Sequence, residues 1–270
     1  MPFLGIEDGV ELFYTDEGEG DPVLLVHGWS CDSHDWMWLI PALVPTYRVI
    51  TVDLRGHGRS SVPKEGYAPP TFASDLATLI DRLVGGPVLV IGHSLGTVVA
   101  STIAVERPEL VRALVLVDPV YGLPAEMMPL MQASVKAFET NDPVEVALAA
   151  FSFFYTPRTP PHLPVWHRRR VQGTLPHVIA QTLTNIYVGP DVWAVGERTP
   201  EYLRRRRAPV LAFYADEARA AVERSVLPDD GLSRIELWPG AGHFLHQERP
   251  DEFNELVLEW LGKLAERSGR

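Results

Sequence analysis

Four short, continuous apolar runs, at residues 23–26, 47–52, 88–91 and 113–117, constrain this chain more than any other feature. Each is rich in Val, Leu and Ile, as expected of strands buried on both faces. Between them stand helix-like stretches at 36–43, 71–83 and 95–106, the last stopping before Pro108. Strand, helix, strand, helix at this spacing predicts a parallel sheet with right-handed crossovers. An earlier stretch, 10–14, alternates apolar and polar behind Glu7-Asp8-Gly9, which reads as a hairpin turn.

From residue 121 to about 200 the rhythm changes. Helical pieces are expected at 127–139, 143–154 and about 177–187, with a proline-rich stretch at 157–164 among them. The alternation resumes with a strand at 210–214, a helix around 219–225, a strand at 234–238 and an amphipathic helix at 251–264. Residues 1–120 and 201–270 are therefore expected to form one α/β core domain, with 121–200 inserted into it. Hydrophobic residues make up 46% of the 270, enough to bury a sizeable core.

Charge and cysteine usage narrow the partners. The net charge is −11, with 35 acidic against 24 basic side chains, a balance that repels nucleic-acid phosphates and anionic lipid. Neither a nucleic acid nor a membrane partner is expected. Two arginine runs, 168–170 and 204–207, read as solvated faces, the second favouring a helix C-terminus. No stretch approaches the roughly 18 apolar residues of a membrane span, and residues 1–7 show no secretory signal. The single Cys31 cannot form an internal disulfide. A cytoplasmic location is the expectation.

The most specific motif is Gly92-His93-Ser94-Leu95-Gly96, set between a buried strand and a helix. A serine hydroxyl becomes a nucleophile only when it is exposed, oriented and deprotonated by a neighbouring base. A sharp strand-to-helix turn supplies the exposure, and glycines two residues to either side let the backbone fold that tightly. The helix start also offers the N–H of Leu95 to a developing oxyanion. A second donor is expected from His27-Gly28-Trp29, behind the strand at 23–26, through the N–H of Trp29. One such donor typically contributes about 3 kcal/mol to the transition state.

Nine histidines compete for the role of base. Only His243, in Gly240-Ala241-Gly242-His243-Phe244, sits after a late strand, where the glycines permit a loop that carries an imidazole over the carboxyl ends of the strands. His27 reads as structural, His57 as a packing residue in the turn at 53–60, and His93 as diverging from its neighbour Ser94. His34, His162, His167, His177 and His246 carry no supporting context. The spacings show no compact metal-ligand set, no phosphate loop and no dinucleotide fingerprint, so no metal and no cofactor is expected.

In their order along the chain, the His27-Gly28 loop, the turn at 53–60, the Ser94 elbow and the His243 loop resemble the α/β-hydrolase superfamily, over nearly the whole chain. The resemblance implies a mostly parallel eight-stranded α/β sheet flanked by helices, with a helical cap inserted after the sixth strand, where 121–200 falls. It implies Ser94 as nucleophile, His243 as general base, and the N–H groups of Trp29 and Leu95 as oxyanion hole. Serine rather than aspartate at the elbow argues against the family's epoxide hydrolases and haloalkane dehalogenases.

The third member of the triad departs from the family pattern. Most relatives carry the acid after the seventh strand, about nine residues beyond its opening proline. Counting from Pro209 reaches Ala218, which cannot orient a histidine. Two candidates remain: Asp118, at the end of the sixth strand, and Asp216, which a two-residue deletion would bring into place. Asp118 is preferred. Its alternative reading is a strand-end turn residue before Pro119, and that of Asp216 a helix N-cap. An acid at the Asp118 position also resembles the zearalenone-type lactonases, whose cap carries a Pro-Val-Trp element. Pro164-Val165-Trp166 stands in the corresponding segment, which makes Trp166 a candidate substrate contact.

These readings lead to a cofactor-independent serine hydrolase acting on an ester or lactone of a hydrophobic small molecule. Three alternatives stay open: a carbon–carbon bond hydrolase, a perhydrolase on the same triad, and a hydrolase-fold receptor with negligible turnover. The aromatic residues Phe151, Phe153, Phe154, Tyr155, Tyr187 and Trp193 point to an apolar pocket, shared with the inserted segment's own packing.

Overall fold

The structure is a computed structural model that describes residues 2–188, 192–267 and 269. Eight strands form one sheet: β1 (Phe3–Gly5), β2 (Glu11–Glu17), β3 (Asp21–Val26), β4 (Tyr47–Val52), β5 (Val88–His93), β6 (Val111–Val117), β7 (Val210–Tyr214) and β8 (Arg234–Leu237). Their spatial order is β1-β2-β4-β3-β5-β6-β7-β8. The pairs β1–β2 and β2–β4 are antiparallel and every other pair is parallel. The sheet is thus mostly parallel, as the continuous apolar runs require.

Each central strand sends alternate residues to opposite faces, because the side-chain period of a strand is two. Leu24 and Val26 of β3 face one layer with Val90 of β5 and the helices α2 (Pro69–Leu83) and α3 (Leu95–Glu106). Val23 and Leu25 face the other layer, with Leu89, Ile91 and Trp36. Its helices are the short α1 (Ile40–Leu43) and a long C-terminal helix reaching Trp260 and Leu261. Burying each such side chain is worth about 2 kcal/mol. A one-residue slip would exchange the two faces, so two-sided burial fixes the register.

Between β6 and β7 the chain leaves the sheet and forms α4 (Met128–Ala137), α5 (Pro143–Ser152), α6 (His162–Gly173), α7 (Pro176–Tyr187) and α8 (Arg198–Leu203). The sheet then closes with α9 (Glu217–Val226) after β7, followed by α10 (Leu245–Glu248) and α11 (Pro250–Arg267) after β8. Among the described residues no helix is long and apolar enough to cross a membrane. The strand order reverses at β3, which pairs with β4 on one side and β5 on the other. A crevice opens beyond the carboxyl ends of strands at such a point, and the His27-Gly28 loop and Ser94 stand there.

Several expectations are corrected. The stretch at 36–43 is a 3-10 turn, Ser33–Trp36, followed by the single turn α1, because Pro41 cannot continue a helix begun before it. α6 starts inside the proline-rich stretch, with Pro164 in its first turn, where a missing N–H costs nothing. The arginine runs are not wholly solvated. Arg206 is buried and pairs with Glu223 at 2.5 Å, and Arg170 turns inward to ion pairs with Asp35 and, at 3.4 Å, Asp32. A carboxylate waiting in the interior outweighs solvation of one arginine in each run. The second run does follow a helix C-terminus, that of α8.

Candidate active site

The turn that carries Ser94 is held open by close backbone packing. A Cβ on Gly96 would stand 2.2 Å from the Val26 carbonyl oxygen, and one on Gly92 would stand 2.4 Å from the Gly96 carbonyl oxygen. No side chain fits at either position, so the chain can turn within one residue. That residue is Ser94, at φ 53° and ψ −116°. A non-glycine residue at positive φ costs about 1–3 kcal/mol and persists only where its surroundings over-determine it. Here the Ser94 N–H donates to the Val117 carbonyl (3.0 Å), and the Thr97 N–H and hydroxyl donate to the Ser94 carbonyl (2.9 and 2.6 Å).

Ser94 and His243 line one cavity of about 490 Å³. His243 stands between β8 and α10, and its Nδ1–H donates to Asp118 Oδ2 at 2.5 Å. That tautomer leaves Nε2 as the acceptor nitrogen. The loop is tied down by main-chain and side-chain bonds. The His243 N–H donates to the Phe154 carbonyl (2.8 Å), and the Gly242 N–H donates to Glu248 Oε2 (2.8 Å). His93 Nε2–H donates to the His243 carbonyl (3.0 Å), so His93 supports the loop from beneath.

Asp118 follows β6 and takes φ 44°. It is completely buried, and its Oδ2 accepts from Arg219 Nη1 (2.7 Å) as well as from His243. Burial raises the Asp118 carboxyl, but the Arg219 guanidinium and the His243 ring outweigh it and hold the group down at about 2. It is therefore a carboxylate at neutral pH. Asp216 does not reach this cluster. Its side chain caps α9, accepting from the N–H groups of Ala218 (2.7 Å) and Arg219 (3.2 Å).

Trp29 lines the same cavity, and its ring Nε1–H donates to the Ile179 carbonyl of α7 (3.0 Å). Among the described residues the N–H groups of Trp29 and Leu95 meet no acceptor. Leu95 opens α3, where the first N–H groups of a helix have no partner within it. The preceding His27 is structural: its Nε2 accepts from the Leu54 N–H (3.0 Å) and its Nδ1–H donates to the Gly28 carbonyl (2.7 Å).

The rest of the cavity wall is mostly apolar and comes largely from the segment between β6 and β7. Met127, Leu130, Met131, Phe153, Phe154 and Tyr187 contribute to it. Leu130 and Phe153 are 49% and 76% exposed, which puts them at the rim. Phe151 instead packs between Trp29 and Phe244, and Trp193 against Tyr121 and Tyr202. Trp166 is not brought to the cavity. It is half-buried on α6 with its ring 4.6 Å from that of His162. Among the described residues no group of three His, Cys, Asp or Glu side chains is placed to hold a metal ion.

Sequence reading alone overlooked Arg219. Its only signal is its place two residues past the acidic pair Asp216-Glu217 that follows β7, where a helix start aims it back at the β6 end.

The family model described as the alpha/beta hydrolase family matches residues 23–256, and the chain belongs to that family. A soluble epoxide hydrolase from Corynebacterium sp. (strain C12) is 30% identical over 269 residues, covering 97% of this chain and 88% of that protein. A thermophilic esterase from Thermogutta terrifontis has the same fold at a TM-score of 0.81 and 26% identity, covering 96% of each chain. An N-acyl homoserine lactone degrading enzyme, Est816, matches at a TM-score of 0.80 and 24% identity over 96% of this chain and 99% of that one.

Proposed function

We propose that this chain is a serine hydrolase that cleaves a carboxylic ester or lactone of an apolar small molecule, through an acyl-enzyme on Ser94 and without a cofactor. One observation carries the reading. A serine at a strained elbow shares a cavity wall with a histidine whose Nδ1 is bonded to a buried carboxylate.

In this reading Ser94 Oγ attacks the carbonyl carbon as His243 Nε2 takes the hydroxyl proton. The N–H groups of Trp29 and Leu95 receive the oxyanion. His243 then gives its proton to the leaving alkoxide, and the carbon–oxygen bond breaks. Water, deprotonated by the same nitrogen, releases the acid and restores Ser94. Asp118 stays ionised throughout; it fixes the tautomer and stabilises the imidazolium. Residues 121–200 act as the cap that selects the acyl or ring group.

The epoxide hydrolase relative does not extend its chemistry to this site. A serine that opened an epoxide would form an ether, which an activated water does not cleave. A carbonyl substrate instead gives an ester intermediate that water does cleave.

Initial rates on aryl esters of increasing acyl length and on small and macrocyclic lactones test the proposal. The wild type should turn over apolar members of one series, and Ser94→Ala should lose at least about 10⁴-fold. Undiminished hydrolysis by a correctly folded Ser94→Ala protein would contradict it.

A further inference from the structure

Arg219 enters the site from α9 and makes two bonds there. Nη1 donates to Asp118 Oδ2 (2.7 Å), the oxygen that also accepts the hydrogen bond from His243 Nδ1–H, and Nη2 donates to the Pro119 carbonyl (2.8 Å). The two acceptors lie on consecutive residues of the β6 end, where Asp118 holds φ 44°. The other carboxylate oxygen, Oδ1, is buried without a partner among the described residues. Apart from His243, the guanidinium is thus the side-chain partner of a fully buried carboxylate.

We propose that Arg219 is the positioning residue of this site, gripping the Asp118 carboxylate and the next carbonyl together so that the carboxylate stays ionised and aimed at His243. The inference rests on the serine-hydrolase reading of the same site. It also gives Asp216 a part: by capping α9 it starts the helix that presents Arg219. A guanidinium suits the task because its flat fork holds two donor nitrogens at a fixed spacing, whereas an ammonium is a single point of charge on a flexible stem.

Groups from every neighbouring element face this trio. Tyr214 on β7 and Tyr187 on α7 act on Arg219, and burial pushes both phenols up, so they carry no charge. His93, at the end of β5, has its ring 4.7 Å from that of His243. His167 on α6 and His246 on α10 act on His243 from farther away. Burial pushes His93, His167 and His246 down, so these three are neutral near pH 7. Arg219 is then the fixed positive charge on the carboxylate. Removing it leaves His243 alone to oppose the effect of burial, so the Asp118 carboxyl rises and the low-pH limb of activity moves up with it.

The test is the second-order rate at which a fluorophosphonate labels Ser94, followed from pH 4 to pH 9 in the wild type, Arg219→Gln, Arg219→Met and Arg219→Lys. Labelling needs the base but no natural substrate. Both neutral variants should shift the acidic limb upward by about one pH unit or more. They should also label at least about tenfold more slowly at pH 7. Arg219→Lys should keep the wild-type limb while labelling more slowly, since it retains the charge and loses the fork. Two neutral variants are included so that poor folding of one leaves the other to decide. An unmoved limb in a folded neutral variant would overturn the inference while leaving the nucleophile intact. A wild type that does not label would overturn the serine reading itself, and this inference with it.

Discussion

All six residues of β5 and eleven of the twelve in α3 are buried, whereas α4, which lines the same cavity, buries none of its ten. The two halves of the site are therefore made differently. On the sheet side, Ser94 and Asp118 sit at positive φ, the first fixed by close backbone packing at Gly92 and Gly96 and the second tied to Arg219 and His243. On the helical side, Met127, Leu130, Met131 and Phe153 present flexible or exposed apolar side chains to the same space. In the proposed reaction the first arrangement would place atoms for bond making and the second would accommodate a shape. Methionine suits that role, since its unbranched thioether adapts to irregular surfaces.

The strongest way to break the comparison is through the carboxylates. Asp118→Asn should lower kcat by about 10³- to 10⁴-fold, because the amide no longer fixes the His243 tautomer or balances its charge. Asp216→Asn should leave kcat within a few-fold, since asparagine caps a helix about as well as aspartate. Steady-state rates on one ester decide between the two. A collapse in Asp216→Asn alone would return the acid to the end of β7.

Glycines sharpen the contrast next. Gly96→Ala pushes a Cβ into the Val26 carbonyl and should cost about 3 kcal/mol of stability. Gly173→Ala, on α6, meets nothing within 4 Å and should change stability by less than about 0.5 kcal/mol. Urea unfolding of both variants measures this. Further out, Leu130→Ala with Phe153→Ala should raise KM several-fold for long acyl chains and much less for acetyl esters. Both side chains stand at the rim, so the melting temperature should hardly move.

The smallest effect concerns pH. His167, on α6, accepts from the Tyr155 hydroxyl at Nδ1 (3.1 Å) and donates from Nε2 to Gln247 (3.2 Å). Burial lowers its pKa to about 4, with Arg170 opposing protonation and Asp35 favouring it. An unfolded chain protonates this ring near 6.5. Its contribution to stability is thus complete above about pH 6.5 and is lost as the pH falls through about 4. Hydrogen exchange at pH 5 should quicken in α6 before it quickens in β5, and His167→Gln should reduce that difference.

Much of this contrast is readable in the sequence. Strands buried on both faces leave continuous apolar runs, so β4 and β7 match their expected limits, and α3 is expected over its full length. The elbow is legible because paired glycines around a serine, between a buried strand and a helix, mark a turn too tight for larger residues. The insertion is harder to read, because helices with few buried positions carry a weak periodicity, and α6 begins among prolines. The choice between Asp118 and Asp216 is not decidable from spacing, since both follow a strand. Only the packing shows that Asp216 is occupied with the start of α9. Arg219, Arg170 and Arg206 stay hidden for one reason: an arginine drawn inward by a buried carboxylate looks, in a sequence, like any other.

The central claim is that Ser94 is a nucleophile activated by His243 and Asp118. Intact-mass and peptide analysis after brief exposure to a fluorophosphonate tests it most directly. The account predicts one adduct per chain, on the peptide carrying Ser94, absent from Ser94→Ala and strongly slowed in Asp118→Asn. A wild type that stays unmodified, or an adduct that persists in Ser94→Ala, would contradict it.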